Sequence, residues 1–149
     1  MDTARLEQWA ENGWLRSHRT TAQEIRELFM AADEDLTSAA VDPSVAWRFN
    51  KGYTAAFRMC SAALYAAGYE ASRGDHHYRT IDALPLVIGS ALHDLSNYLH
   101  TCSTKRHDVT YESVHVVSKD EADEILRVAA ELRDSVREWL RQNHPTLVP

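Results

Sequence analysis

Apolar residues repeat with the period of an α-helix along most of this chain, and no other feature constrains its fold as strongly. One helical run starts at Thr21, where Glu24 three residues on gives the pattern of a capping box, and Ser118 with Glu121 repeats it before the last run. The glycines and prolines (5 and 4) fall between the periodic segments, and strand-like alternation is confined to the stretch ESVHVVS at 112–118. The sequence therefore predicts an all-α fold, an antiparallel up-down bundle of four to five helices.

The length and composition indicate one folded domain. A chain of 149 residues with 44% hydrophobic residues can bury a single core. We expect one helical domain over 1–149, with an N-terminal helical arm at 1–20, a bundle core at 21–142 and a tail at 143–149.

The charge and the apolar runs restrict the classes of function and the compartment. A net charge of −6 argues against a protein that coats nucleic acid in general, although a local basic cleft stays compatible with it. The two cysteines are far apart and lack a paired-thiol spacing, which is typical of buried thiols in a reducing compartment. No apolar run is long enough for a membrane span, and the polar N-terminus does not resemble a secretory signal. We expect a cytoplasmic protein with no membrane partner.

The apolar stripe of the helix before residue 112 leads to an arginine. The stripe advances in steps of four and three through Ile88, Leu92, Leu95, Leu99 and Cys102, and its next members are Arg106 and Val109. An arginine on that face must be paired, or must line an interface or cleft, because an unpaired buried charge costs several kcal/mol. The alternative is that cations near this helix end simply complement the helix dipole.

Histidines on the neighbouring face of the same helix invite a metal hypothesis. His93, His100 and His107 are each seven residues apart, which separates neighbours by about 10.5 Å of helix rise. Two ligands of one Zn²⁺ cannot be that far apart without help from other elements. We therefore predict no metal and no cofactor.

A histidine pair opens a short helix in the middle of the chain. His76 and His77 follow Gly-Asp, and adjacent helical positions point about 100° apart, so they are not expected to chelate as a pair. In one interpretation Asp75 caps the helix and one imidazole packs against the bundle. In the other, Arg79, His76 or His77 borders the same cleft as Arg106.

Several stretches in this order resemble the HEPN superfamily: RFNKGYTAAFRMCSAALYAAGY, GDHHYRTIDAL, KRHDVTY and a capped terminal helix. The resemblance covers roughly Arg48 to Leu140 and is greatest to small bacterial single-domain members. It implies an antiparallel bundle of four or five helices that commonly dimerises. It also implies metal-independent RNase activity of the toxin–antitoxin or defence type, often beside a minimal nucleotidyltransferase.

The family motif is an arginine, about four to six further residues and a histidine, often with a polar residue directly after the arginine. Arg106 matches the arginine and His107 the polar residue, whereas Tyr111 stands where the histidine is expected and His115 lies further on. The resemblance thus makes Arg106, His107 and Tyr111 the candidate catalytic residues, at a cleft shared by two copies. The candidate substrate-binding residues are Lys105, His100, Arg79 and His77.

Three functions follow from these patterns. The first is a homodimeric HEPN-like RNase. The second is a HEPN-like dimer without cleavage activity, which binds RNA, a nucleotide or a nucleotidyltransferase partner through the same cleft. The third is an interaction module whose dimer surface is its only function.

Overall fold

The computed structural model describes the backbone of residues 1–111 and 117–149, and the side chains of these residues other than 107–111. Two short antiparallel strands accompany the helices in this part of the chain. In chain order the elements are α1 (Thr3–Glu11), β1 (Leu15–Ser17), α2 (Ala22–Ala40), α3 (Val45–Ala66), β2 (Tyr69–Ala71), α4 (His76–Asp82), α5 (Leu84–Val87), α6 (His93–Tyr111) and α7 (Lys119–Asn143). Short 3-10 turns lie at Ser90–Leu92 and Pro145–Leu147. The predicted all-α fold is confirmed.

Helix α3 lies at the centre of the bundle and packs against α2, α7, α4 and α6. Helices α2 and α3 run antiparallel, since Arg58 contacts Asp35 at 2.8 Å while Lys51 reaches back to Asp42 at 2.7 Å. The opposite side of α3 carries small buried residues against α7. The largest fully buried side chains are Tyr53, Phe49, Leu6, Ile25, Met59, Leu64, Ile81, Leu84, Leu99, Ile125, Leu132 and Leu140.

The N-terminal residues belong to the same core as the bundle. Leu6 and Trp9 of α1 and Leu15 of β1 are buried in one cluster with the residues of α3 and α7. A hydrogen bond from the Asp2 amide to the Leu86 carbonyl (2.7 Å) anchors the start of α1 beside α5. None of the described helices is both long enough and apolar enough to span a bilayer.

The two predicted helix starts are present, but only one of them is a complete capping box. At α7 the Ser118 hydroxyl accepts from the Glu121 amide, and the Glu121 carboxylate accepts from the Ser118 amide, both at 3.1 Å. At α2 Thr21 accepts from the Glu24 amide (3.2 Å), whereas the Glu24 carboxylate binds His18 Nε2 (2.6 Å) instead. A tertiary contact has therefore replaced half of the local motif.

The pair of strands is a feature that the sequence did not predict. Strands β1 and β2 pair antiparallel with Leu15 opposite Ala71 and Ser17 opposite Tyr69. Three residues are too few for an alternating pattern to be recognised. The stretch that was predicted to be strand-like falls largely on residues 112–116, which lie outside the described part of the chain.

The prediction that every glycine falls between helices is wrong at Gly52, which lies in the middle of α3. A Cβ at this position would approach Ile125 Cγ2 to 2.9 Å, Leu126 Cδ2 to 3.1 Å and the Leu126 amide nitrogen to 3.3 Å. Helices α3 and α7 are in close contact here, and only a residue without a side chain fits between them.

Candidate functional site

A cleft of about 320 Å³ opens on the side of α3 that faces α4 and α6. We call it the Arg106 cleft. Its walls are formed by Leu28, Tyr53, Thr54, Phe57, Arg58, Ser61, Tyr65, His76, His77 and Arg106. Residues that are far apart in the sequence therefore meet at one concave surface.

Arg106 reaches the cleft from α6. Leu99 and Cys102 on the same stripe are buried in the core, and Arg106 follows them one turn later at the edge of the packed region. Its guanidinium carbon lies 5.3 Å from the centroid of the Tyr53 ring, within the range of a cation–π contact. The arginine is therefore partly buried over an aromatic face and directed into the cleft.

His77 reaches the cleft from α4 and is held by two contacts with α3. Its Nδ1 lies 3.0 Å from the Tyr53 hydroxyl oxygen, and its ring stacks on Phe57 with centroids 4.1 Å apart and an angle of 12° between the planes. Burial, together with the charges of Arg106 and His76, lowers the pKa of His77 below its usual value. The neutral imidazole is therefore favoured in this environment.

Tyr53 connects the two groups. Its side chain is only 1% exposed, yet its hydroxyl contacts His77 while its ring lies beneath Arg106. Burial raises the pKa of the Tyr53 phenol, against the opposing effects of a hydrogen bond with Ser103 and of the Arg106 charge. Tyr53 consequently remains protonated at neutral pH and serves as a hydrogen-bonding group.

The charges around the Arg106 cleft favour an anion. Its described lining contains two arginines and two imidazoles but no carboxylate. The charge of Arg58 is partly compensated, because its Nε donates to Asp35 Oδ2 at 2.8 Å. Guanidinium groups bind phosphate oxygens through charge-assisted hydrogen bonds, and partial burial strengthens such contacts relative to bulk water.

Two predicted substrate-binding residues on α6 are placed elsewhere. Lys105 forms an ion pair with Glu121 of α7, on a different face of the helix from Arg106. His100 Nε2 lies 3.2 Å from Asp82 Oδ1, and its ring stacks on Tyr78 at 4.5 Å. Neither side chain lines the Arg106 cleft.

Arg79, the third of these residues, binds to the N-terminal segment instead. Its guanidinium carbon lies 3.7 Å from the centroid of the Trp14 ring and 5.2 Å from that of Trp9. Arg79 thus fastens α4 to the segment that joins α1 and β1. Of the four predicted substrate-binding residues, the structure brings only His77 together with Arg106.

For His107 and Tyr111, the other two candidate catalytic residues, the structure describes the backbone only. The α6 backbone remains helical through Tyr111, so His107 and Tyr111 are one turn apart along the helix. Their side chains lie outside the described residues, as does all of His115.

Tyr53, Phe57 and Arg58 line the cleft but were not predicted as site residues. Their spacing on α3 is typical of a core-facing stripe, and Tyr53 is indeed buried. The sequence shows only that these three residues lie within six positions of one helix, and the histidine pair beside them comes from the packing of α4 on α3. Among the described residues, no group of three or more His, Cys, Asp and Glu side chains is arranged to hold a metal ion.

Comparison with known proteins gives one match. Residues 39–137, which run from the end of α2 into α7, match the family model described as HEPN_SAV_6107-like HEPN. Searches of the curated proteins and of the solved structures each found no match. The matched region contains every residue of the Arg106 cleft except Leu28.

Proposed function

The chain belongs to the HEPN family, and from this premise we propose that it is a metal-independent ribonuclease whose active site is the Arg106 cleft. The observation that carries the proposal is the meeting of Arg106 with the imidazoles of His76 and His77 in a cleft whose described lining has no carboxylate. An anionic substrate would be attracted to such a surface, and the site contains groups able to bind phosphate and to transfer a proton.

Cleavage of RNA without a metal has three chemical requirements. One group must take the proton of the 2′-hydroxyl, another must supply a proton to the leaving oxygen, and a cation must stabilise the charge that develops on the phosphate. Arg106 fits the third requirement, since its planar fork of donors can bind two phosphate oxygens at once. The guanidinium of Arg106 lies over the Tyr53 ring at the wall of the cleft.

His107 and Tyr111 remain part of the proposal through the family motif. Their backbone positions in α6 lie one turn apart, and the proposal assigns them a second phosphate-binding or proton-transferring role. Tyr111 at the motif's histidine position also supports a second candidate function, in which the cleft binds RNA or a nucleotide but does not cleave it.

We further propose that the protein acts as a homodimer of the toxin–antitoxin or defence type, with a nucleotidyltransferase as a possible partner class. Support for the dimer comes from family membership, because HEPN domains often dimerise. Light scattering coupled to size-exclusion chromatography measures the mass directly. A mass near 16.9 kDa at micromolar concentration would contradict the dimer.

The ribonuclease proposal is tested by incubating the purified protein with total cellular RNA in excess EDTA. We expect cleavage by the wild type, loss of cleavage in Arg106→Ala, and wild-type activity in Arg127→Ala. Arg127 is the matched control, since it is an exposed arginine of α7 whose partner is Glu131 at 3.0 Å.

The outcome separates the two candidate functions. If the folded wild type cleaves no RNA but binds a fluorescent single-stranded RNA, and Arg106→Ala abolishes that binding, the cleft is a binding site without cleavage. If the protein neither cleaves nor binds RNA, the assignment of the Arg106 cleft to RNA is wrong. Cleavage that persists in Arg106→Ala would also refute it.

A further inference from the structure

Apart from His107, which directly follows Arg106, the motif on α6 carries no imidazole within five residues of that arginine. Tyr111 stands at the histidine position, and a phenol that normally ionises near pH 10 is a poor base at neutral pH. The Arg106 cleft nevertheless contains two imidazoles that come from a different helix, α4. We propose that His77 is the general base of this cleft and supplies, from α4, an imidazole in place of the histidine whose motif position Tyr111 occupies. This inference rests on the ribonuclease function proposed above.

The first support is the fixed position of the His77 ring. The Tyr53 hydroxyl contacts one ring edge at Nδ1 (3.0 Å), and the face of Phe57 supports the ring plane at 4.1 Å. His76 meets Phe57 less closely, at 5.8 Å and with 55° between the ring planes. His77 has the closer contacts with α3 of the two imidazoles, and it is also exposed, so part of its ring is accessible to a ligand.

The second support is the relation of His77 to Arg106. Both groups contact the same residue, Tyr53, with Arg106 over the ring at 5.3 Å and His77 at the hydroxyl. A phosphate bound by the guanidinium would therefore lie close to the imidazole. A general base must reach the proton that it removes within hydrogen-bonding distance, and this arrangement brings such a base to the nucleotide that Arg106 binds.

The third support is the electrostatic environment of His77. Titratable and charged groups face the cleft from three helices, namely Tyr53, Arg58 and Tyr65 from α3, His76 from α4 and Arg106 from α6. His77 is exposed, but partial desolvation of its ring has the largest effect on its pKa, followed by the charges of Arg106 and His76, and all three lower it. The lowered pKa favours the neutral imidazole, which is the protonation state that a base requires.

The proposed step conserves atoms and charge. Nδ1 of His77 lies 3.0 Å from the Tyr53 hydroxyl oxygen. The proposal assigns His77 the tautomer in which Nδ1–H donates to this oxygen, which leaves the lone pair of the neutral imidazole on Nε2. Nε2 takes the proton of the 2′-hydroxyl, the 2′ oxygen bonds to phosphorus, and the bond from phosphorus to the 5′ oxygen breaks. The leaving oxygen takes a proton from water, and the hydroxide so formed takes the proton from His77. The products are a 2′,3′-cyclic phosphate and a 5′-hydroxyl.

Tyr53 is a positioning residue in this scheme. Tyr53→Phe removes the oxygen that accepts from Nδ1–H and retains the ring beneath Arg106. We expect this variant to lower kcat with little change in KM, because the imidazole loses its preferred tautomer while the arginine keeps its support. A variant that acted only by destabilising the fold would not alter the pH profile of the remaining active protein.

The test measures the pH–rate profile of cleavage of a mixed-sequence RNA oligonucleotide in excess EDTA, for the wild type, His77→Gln and His77→Ala. For the wild type, kcat should rise with pH through a pKa below the usual value for histidine and then level off, since only neutral His77 accepts a proton. General-base catalysis contributes about 10²–10⁴-fold, so His77→Gln should lower kcat at least about 100-fold and lose this rise. Added imidazole should restore part of the activity of His77→Ala. His93→Gln, at an exposed histidine outside the cleft, is the matched control and should behave as the wild type.

The results distinguish this inference from the proposed function. If Arg106→Ala abolishes cleavage but His77→Gln keeps kcat within about threefold and retains the rise with pH, His77 is not the base, and the ribonuclease function stands. If the folded wild type cleaves no RNA, both proposals fail. Loss of activity in His77→Gln with no rescue of His77→Ala by imidazole would show a structural role and overturn the inference.

Discussion

Replacing Gly52 by alanine tests the close approach of α3 and α7. The new Cβ would lie 2.9 Å from Ile125 Cγ2 and 3.3 Å from the Leu126 amide nitrogen, so the Ile125 side chain or the α7 backbone must shift. Overpacking of a core costs about 1–3 kcal/mol. Alanine regains about 1 kcal/mol of helix propensity relative to glycine. We therefore expect Gly52→Ala to lower the free energy of unfolding by about 1 kcal/mol, which is the middle of the range given by these two effects.

Urea unfolding followed by circular dichroism measures this change through the midpoint and slope of the transition. A double-mutant cycle with Ile125→Ala provides the control, because this substitution removes the nearest atom that the new methyl group would meet. Within the Ile125→Ala background the cost of Gly52→Ala should shrink or reverse.

The reasoning would be refuted if Gly52→Ala stabilised the protein by about the full propensity difference of 1 kcal/mol. That result would mean that the two helices are not in close contact at Gly52. An equal cost in both backgrounds would likewise show that Ile125 is not the obstacle.

Three further perturbations have defined outcomes. Ser118→Ala should lower the free energy of unfolding by about 1 kcal/mol, seen as a Tm lower by about 2–4 °C, because α7 loses its N-cap; an unchanged Tm would contradict the cap. Arg106→Gln should raise the pKa of His77 in an NMR titration, but only part of the way to its usual value, since desolvation is the larger cause. An unchanged pKa would show that the Arg106 charge does not act on His77. Because folding lowers that pKa, the contribution of His77 to stability should fall as the pH decreases through its unfolded and then its folded pKa. Burial raises the pKa of Cys60 to about 12 and that of Cys102 to about 11, so a thiol reagent at pH 8 should label both only in denaturant, and rapid labelling of the native protein would contradict their burial.

Local sequence patterns were sufficient for the helices and for part of the site. The capping box at Ser118 forms because every group in it lies within one turn, and the stripe through Leu99 and Cys102 is buried because helical period alone places these residues on one face. The same period led to Arg106, which follows them at the edge of the packed region. The family could also be recognised from the sequence alone, since the motifs and their order are features of the linear chain.

Contacts between distant residues required the tertiary structure. No local pattern shows that Gly52 must lack a side chain, because the atoms that would obstruct it belong to another helix. Arg79 was predicted to bind substrate, but its guanidinium contacts Trp14 instead. The sequence could not show this contact, because the two residues are far apart in the chain.

The sequence by itself determined the helical class, the family and the helix face that carries Arg106, since each of these depends on the spacing of residues along one segment. Only the tertiary structure decided which groups stand beside that arginine. Packing of α4 against α3 brings His77 onto Tyr53, while α6 turns Lys105 toward α7 and away from the cleft. The physical reason is that a site is defined by distances between helices, and these follow from how side chains of separate segments fill the core together.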